Sequence, residues 1–390
     1  MRIGIDLRIA AGPSGQQRYL WELGVWLGDR GHDVHLLVTR RNPSQGVEAP
    51  GCSLHPWADL RPPELVSRVR ALELDALLLN PERSDAYDGI RANVLRPGYG
   101  TDQYRQKLRS FPHPVERGLR GLFRSLPPTT GRRRRERRFY EGYSRRPEVL
   151  AVSGYMRDEI LDTYDIDPAR VHLVPNGIDL DAFSPALRAH HRGPARRDFH
   201  IPEEALCILF VAHNYRLKGV HTGMRQVRRL RDAGIDAHVL VAGRGTDVLQ
   251  RAQARMWARR LGIRDAAHLP GVVHPAIRAF AAADVFMHLS MHDAFGFVVL
   301  EAMAAELTPL TTPWAGAAQV LEDGRSGFVV DPGDEGTIFR RLRELADPSV
   351  RARMGAEARR TAERYGEATN FAAVEEVFRI AAGRQKGPVR

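Results

Sequence analysis

The chain has 390 residues but only two cysteines, Cys52 and Cys207. They lie far apart and lack C-x-x-C spacing, which argues against a disulfide framework and against a zinc site. No stretch approaches the ~20 consecutive apolar residues of a spanning helix. The most apolar runs, 207–212 and 285–289, are strand-sized, so an integral membrane protein is not expected. The 15 histidines show no H-E-x-x-H or similar spacing, and no structural metal is expected. The full G-x-G-x-x-G fingerprint is absent, and no acid closes the apolar segment 34–38 to hold a ribose, which argues against a dinucleotide dehydrogenase. Asp6 stands where the apolar core of a signal peptide would run, so the expectation is a cytoplasmic protein. No short tandem repeat is visible.

What the chain does have is an ordinary globular balance, 43% apolar and 27% charged residues, which excludes a mainly disordered or fibrous chain. Lys and Arg number 58 against 47 Asp and Glu, a net charge of +11. Such an excess points to an anionic partner: nucleic acid, anionic lipid or a phosphorylated substrate. A genome that favours arginine codons accounts for it equally well.

The apolar pattern alternates between strand and helix. A strand over 3–7 leads through a glycine loop, 11–15, into a helix over 16–29. That helix carries Tyr19, Leu20, Leu23, Trp26 and Leu27 at helical spacing. A strand over 34–38 completes a βαβ unit, which implies a parallel sheet. Between 43 and 150 the pattern is weaker, with short strands over 76–79 and 93–95 and a basic helix over 132–140. A strand (149–153), a helix (155–164) and a strand (172–174) follow. The polar, basic stretch 187–202, with Gly193, Pro194 and Pro202, reads as a linker. A second series then begins, with strands over 208–212, 238–242, 267–269, 285–289, 309–311 and 328–330, and final helices over 347–365 and 368–382. The expected fold class is α/β: two Rossmann-like domains, 1–187 and 203–366, facing across a cleft, with a C-terminal segment, 367–390, returning to the first.

The strongest local signal is the segment 290–304. A strand ends in small and polar residues, Gly296 allows close backbone approach, and a helix starts there. Free N–H groups at such a start bind phosphate oxygens, so the amides of Phe295, Gly296 and Phe297 are candidate diphosphate ligands. Asp293 precedes the helix, placed to meet a sugar, and Glu301 lies inside it, placed to meet ribose hydroxyls. The plainer reading is a helix with an acid balancing its dipole and a solvated glutamate. Glu301 sits within Val-Val-Leu-Glu-Ala-Met-Ala, however, where an unpaired carboxylate is costly. Lys218 follows the first strand of the second series and precedes a helix. An ammonium there offers a point charge to a diphosphate, with Arg216 two residues earlier. The plainer alternative for both is a solvated loop. After the strand at 93–95, Asp102 lies in a glycine-containing loop, where a carboxylate can orient a sugar hydroxyl or stabilise positive charge. It can equally bond its own backbone. The run 132–138 opens on Arg132 and closes on Arg138 with one glutamate inside. It reads as a surface for anionic lipid, for a phosphorylated glycolipid, for nucleic acid, or as a solvated face. No aromatic interleaves with it, which weakens the reading as a single-stranded nucleic-acid binder.

These residues resemble family 4 of the retaining glycosyltransferases, which have the GT-B fold. The family signature is an acid, seven residues and Glu, with Phe-Gly after the acid and Glu-Ala-Met-Ala at the end; here it is Asp293-Ala-Phe-Gly-Phe-Val-Val-Leu-Glu301-Ala-Met-Ala. Asp293 stands where the family usually has Glu. The resemblance covers nearly the whole chain. Pro175-Asn176-Gly177-Ile178-Asp179 with Phe183 and Pro185, the segment from Phe210 to Gly219, and Ala281-Ala282-Ala283-Asp284-Val285 are all similar to family segments. The Asn-Tyr-Arg-Leu-Lys-Gly loop and the arginine-rich segment before Val149 are most similar to the lipopolysaccharide core glucosyltransferase I group.

The resemblance implies a retaining hexosyltransferase that takes a nucleotide-diphosphate sugar, UDP-linked by expectation, and needs no metal or other cofactor, in keeping with the lack of a D-x-D motif. Lys218 and Asp293 would act on the donor with Asp102 near the reacting sugar. Arg216, Phe295, Gly296, Phe297 and Glu301 would bind the donor. His213 holds the place usual for the family's arginine. Gly15 would let the first loop approach donor or acceptor; Ser14 stands where a second glycine is usual. The first domain would hold a glycan or glycolipid acceptor in cell-envelope polysaccharide or lipopolysaccharide synthesis. The protein would then lie in the cytoplasm, or on the inner face of the plasma membrane through 132–138, with no nucleic-acid partner. A sugar-nucleotide epimerase or phosphorylase of the same architecture, a basic nucleic-acid-binding protein and a catalytically inactive scaffold stay open as rivals.

Overall fold

The computed structural model describes residues 1–7, 15–38, 49–57, 59–80, 93–97, 137, 140–141, 147–243, 245 and 248–386. The chain divides into two compact units, one of residues 1–175 with 368–390, the other of residues 176–367.

In the first unit, β1 (Arg2–Leu7), β2 (Asp33–Val38), β3 (Cys52–Pro56), β4 (Ala76–Leu79), β5 (Val94–Leu95), β6 (Glu148–Ala151) and β7 (Val171–Leu173) form one sheet in the order β3-β2-β1-β4-β5-β6-β7. Every pairing is parallel. That is why β4 reads as an unbroken apolar run and why β1 is buried from Ile3 to Leu7: both faces of a parallel sheet are covered. The edge strand β3 has no counterpart in the sequence pattern, since its segment is short and polar. The helix Glu367–Lys386 belongs to this unit from Ala368 on and is held by buried polar groups. The Tyr19 hydroxyl donates to Asn370 Oδ1 at 2.7 Å. Glu375, 3% exposed, receives Arg30 at 3.0 Å and His32 at 2.9 Å. Arg384 reaches the buried Glu148 at 2.7 Å.

In the second unit, β8 (Leu206–Val211), β9 (Ala237–Ala242), β10 (Ala267–Gly271), β11 (Val285–His288), β12 (Thr308–Thr311) and β13 (Phe328–Val329) form a parallel sheet in the order β10-β9-β8-β11-β12-β13. Ile208, Val239, Val285 and Leu310 are fully buried in its core. The order reverses between β8 and β11, so the loops that follow these two strands diverge from neighbouring carboxyl ends. That is where open α/β sheets bind ligands.

The stretch 187–202 is not a linker. Its larger part is the helix Pro185–Asp198, which belongs to the second unit. Ser184 caps it by accepting from the Leu187 N–H, and Pro185 takes the first turn. Arg188, Arg192 and Arg196 face inward, while Arg197 is exposed. Arg196 is 0% exposed and donates to Asp284 at 3.2 Å and to the carbonyls of Ala282 (3.0 Å), Pro202 (2.6 Å) and Ala205 (2.5 Å). Arg192 takes the other Asp284 oxygen at 2.8 Å. Burial alone would raise the Asp284 carboxyl; Arg192, the Cys207 N–H and Arg196 outweigh it and hold it below its usual range. The inward arginines of this helix are thus satisfied inside the unit, two sharing Asp284 and Arg188 on the Ala283 carbonyl, so that removing any partner would strand a buried polar group.

Candidate functional site

The loop after β8 and the loop after β11 are tied together by backbone. The Met291 N–H donates to the Leu217 carbonyl at 3.1 Å. In the first loop, Asn214 accepts from the N–H groups of Leu217 (side chain, 3.0 Å) and Lys218 (backbone, 3.1 Å), which turns the chain so that Lys218 ends at the strand tips. Gly219 then caps the helix Val220–Asp232 at φ 70°.

The second loop is pinned to the segment after β12. Asp293 pairs with Ala315 as an isolated parallel bridge, its N–H donating to the Trp314 carbonyl at 2.9 Å and its carbonyl accepting from Gly316 at 3.0 Å. The Asp293 side chain is therefore presented by a fixed backbone. Gly296, at φ 90°, caps the helix Phe297–Ala304. A Cβ there would lie 3.4 Å from both Asp293 Oδ2 and His288 Nε2, so glycine leaves the space beside the carboxylate open.

At the centre stand three side chains from two separate parts of the sequence. Lys218 Nζ forms an ion pair with Asp293 Oδ2. His288 Nε2 lies 3.1 Å from the same oxygen and 3.5 Å from Lys218 Nζ. The Phe295 N–H points at Asp293 Oδ1 at 3.4 Å. Asp293 is 21% exposed and Lys218 16%, whereas the His288 side chain is 1% exposed. Burial would raise the Asp293 carboxyl, but the Lys218 ammonium and the His288 imidazole override it and hold it well below the carboxylate range. His288 is pushed below the usual imidazole value, first by burial and then by the Lys218 cation, with Asp293 opposing.

The structure brings Lys218, Asp293, Phe295 and Gly296 together. Phe297 opens the helix and Glu301 lies buried within it, 8% exposed. Arg216 is exposed on the Lys218 loop. Gly15 is the first residue of the helix Gly15–Asp29. Asp102 and the run 132–138, apart from the exposed Arg137, lie outside the described residues. His288 was not anticipated: in sequence it is one more residue of a buried strand. The available signal was a polar side chain on the last residue of that strand, the end from which α/β sites are built. Among the described residues no group of three His, Cys, Asp or Glu is arranged to hold a metal ion. Among them, too, no helix is long and apolar enough to cross a membrane.

Residues 13–182 match the family model described as Glycosyltransferase Family 4, and residues 192–361 the model described as Glycosyl transferases group 1. A D-inositol 3-phosphate glycosyltransferase of Streptomyces scabiei is 34% identical over 242 residues, 60% of this chain and 54% of that protein. The chain spans about half the length of the first curated relatives it matches. WaaG, a glycosyltransferase involved in lipopolysaccharide biosynthesis, superposes with a TM-score of 0.72 at 18% identity, over 99% of this chain and 100% of that one. Anabaena Alr3699/HepE in complex with UDP-glucose gives 0.73 at 16% identity, over 96% and 98%. Both structural likenesses are of fold: two Rossmann-like parallel sheets, the GT-B class.

Proposed function

The chain belongs to glycosyltransferase family 4, and we propose that it moves a hexose, with retention, from a nucleotide-diphosphate sugar to a glycan or glycolipid acceptor. One observation carries the reading. An ammonium, a carboxylate and a helix start with no side-chain cap meet at the carboxyl ends of β8 and β11, where the strand order reverses. In this reading the diphosphate lies on Lys218 and on the amides at Gly296 and Phe297. Asp293 meets the hexose, and Glu301 the ribose. As the sugar–oxygen bond breaks, negative charge grows on the leaving diphosphate. A fixed ammonium and aligned N–H groups stabilise that charge without reorganising. Lys218 starts on Asp293 and shifts toward the incoming phosphate, which frees the carboxylate for the sugar. No metal ion is part of the proposed step.

The donor is proposed to be UDP-linked, the ligand named for HepE. The acceptor would lie on the first unit, near Gly15 and Asp102. A glycolipid of envelope or lipopolysaccharide synthesis is the first reading, and a peripheral place on the membrane through 132–138 goes with it. The relatives named for D-inositol 3-phosphate favour a second, a small phosphorylated polyol.

A melting-temperature panel of UDP-, GDP- and ADP-sugars tests the donor, since a ligand that binds only the folded state raises its melting point. Turnover of labelled UDP-glucose, with extracted lipid or inositol phosphate as acceptor, tests the reaction. Lys218→Ala is expected to lower turnover more than ~100-fold, the scale of losing one preorganised charge contact in the transition state. Near-normal kcat/KM in that variant removes Lys218 from the mechanism.

A further inference from the structure

The surroundings of the His288 imidazole favour one arrangement of its proton. Its Nδ1 is buried and has no hydrogen-bond partner among the described residues. Its Nε2 faces Asp293 Oδ2 at 3.1 Å. If Nδ1 carried the proton, a buried donor would lack an acceptor, and the Nε2 lone pair would face a carboxylate at 3.1 Å with only the long 3.5 Å contact from the Lys218 ammonium to match it. Both features are unfavourable. If both nitrogens were protonated, the unsatisfied donor would remain, and a second cation would sit 3.5 Å from the Lys218 ammonium. The neutral ring protonated on Nε2 is what remains, with only an acceptor lone pair left unmatched. The ring is also held in place. His288 ends β11 in register with Thr311 of β12. The Thr311 hydroxyl donates to the His288 carbonyl at 3.3 Å, and the Phe286 ring lies 6.1 Å away, nearly parallel.

Asp293 Oδ2 thus receives two donors, one mobile and one fixed. Lys218 sits on a long flexible stem at a half-open surface; His288 is part of the buried sheet. If the lysine moves to a phosphate, the carboxylate keeps the imidazole N–H. Without that N–H, withdrawing the lysine would leave Asp293 with the long contact to the Phe295 amide, and the ion pair would hold Lys218 back.

We propose that His288 is a positioning residue of the donor site: it holds the Asp293 carboxylate aimed and ionised, so that Lys218 can exchange it for the donor's diphosphate. This rests on the donor-site reading given above. The prediction is specific about tautomer, since the ring must donate from Nε2 and need not titrate.

UDP is the probe, because it carries the diphosphate but no hexose for Asp293 to touch. Its dissociation constant is measured by calorimetry for the wild type, His288→Leu, His288→Gln, Asp293→Asn and the His288→Leu/Asp293→Asn pair, with melting temperatures as the check on folding. Glutamine can place an N–H near the Nε2 position and cannot titrate. His288→Leu is expected to weaken UDP about tenfold, the scale of one hydrogen bond to a charged group. His288→Gln should stay within about twofold, a loss well under one ordinary hydrogen bond. Asp293→Asn should bind UDP at least as well as the wild type, because nothing then retains the lysine. In the Asp293→Asn background the leucine substitution should cost little, a non-additivity that a packing defect would not produce. Nitrogen NMR of the imidazole should report a neutral ring protonated on Nε2. Equal weakening by leucine in both backgrounds, or a ring protonated on Nδ1, overturns the proposal. So does UDP binding that is sensitive to Lys218→Ala but indifferent to His288→Leu, and in that case the donor-site reading stands. Failure of the wild type to bind UDP overturns both.

Discussion

Replacing Gly219 by alanine would perturb the proposed donor site through the backbone alone, with no functional group removed. Gly219 follows Lys218 and caps the helix Val220–Asp232 at φ 70°. A Cβ there would meet Leu289 Cβ at 2.6 Å and the Leu289 carbonyl oxygen at 2.9 Å. Neither contact can be relieved by a rotamer, since both belong to or adjoin the backbone at the end of β11. Gly234 is a natural control. It has φ 81°, and a Cβ on it would meet nothing within 4 Å. Both substitutions incur the left-handed conformation, ~1–2 kcal/mol for a residue with a side chain. Only Gly219→Ala adds overpacking, ~1–3 kcal/mol. The expected losses are then roughly 2–5 kcal/mol for Gly219→Ala and roughly 1–2 for Gly234→Ala. At ~2–4 °C per kcal/mol for a unit of this size, the melting points should fall by about 10 °C and about 4 °C. The clash also pushes the Lys218 loop from the strand that carries His288, so UDP binding should weaken in Gly219→Ala and stay intact in Gly234→Ala. Circular-dichroism melts with calorimetric titration would decide it. Equal melting shifts in the two variants, or unchanged UDP affinity in Gly219→Ala, would refute the reasoning.

Arg196→Met removes a fully buried guanidinium and strands the carbonyls of Ala282, Pro202 and Ala205. The loss should be about 3–5 kcal/mol, as when one partner of a buried ion pair is deleted. Urea unfolding that shows less than ~1 kcal/mol would mean the cluster is not structural. Acid should weaken the second unit through His268, whose imidazole is pushed down to about 4, first by burial and then by His238. The unfolded chain takes up this proton near 6.5 and the folded one near 4, so stability is full above that window and declines as pH falls through it. The unscreened contribution is about 3 kcal/mol, and roughly half that at a site this open to solvent. His268→Phe should flatten the melting-temperature profile between pH 7 and 4; an unaltered slope would assign the acid sensitivity elsewhere.

Most elements whose stability comes from apolar burial were legible in the sequence; the helix Pro62–Ala71, which buries Leu65, Val66 and Val69, was not. The first strand, expected over 3–7, is Arg2–Leu7, and its helix, expected over 16–29, is Gly15–Asp29. The six strands of the second series all stand within two residues of the expected bounds. The helix Pro185–Asp198 was not legible, because what stabilises it is remote: Asp284 and the carbonyls of 281–283 take its arginines. Composition shows arginine, glycine and an internal Pro194, and says loop. Its start was still readable from Ser184 followed by Pro185, a cap and a first-turn proline. The candidate site divides in the same way. Asp293, Gly296 and Glu301 fall within one short motif, and Lys218 sits on a recognisable strand-to-helix loop. His288 is seventy residues from Lys218. Only the pairing of β11 with β8 makes them neighbours.

A repeated feature sets structural polar groups apart from those of the candidate site. Both units carry Asp-x-His where the second strand of the sheet begins, Asp33-Val34-His35 and Asp236-Ala237-His238. In the first unit, His35 Nδ1 meets His55 Nε2 of β3 at 2.9 Å, and His35 Nε2 lies 3.2 Å from Asp33. In the second, His238 Nδ1 meets His268 Nε2 of β10 at 2.9 Å, and His238 Nε2 lies 3.2 Å from Asp236. β2 with β3, and β9 with β10, hold the same places in the two strand orders. Both trios serve the edge pair of a sheet, and their aspartates stand at or just before the amino ends of β2 and β9. Ligands of this architecture gather at the carboxyl ends. An acid beside two histidines invites a catalytic reading in either segment, yet each trio joins an edge strand to its neighbour. The acid–histidine contact at His288 and Asp293 differs in its place and its company: it stands at a carboxyl end, beside the reversal of strand order, with an ammonium on the same oxygen.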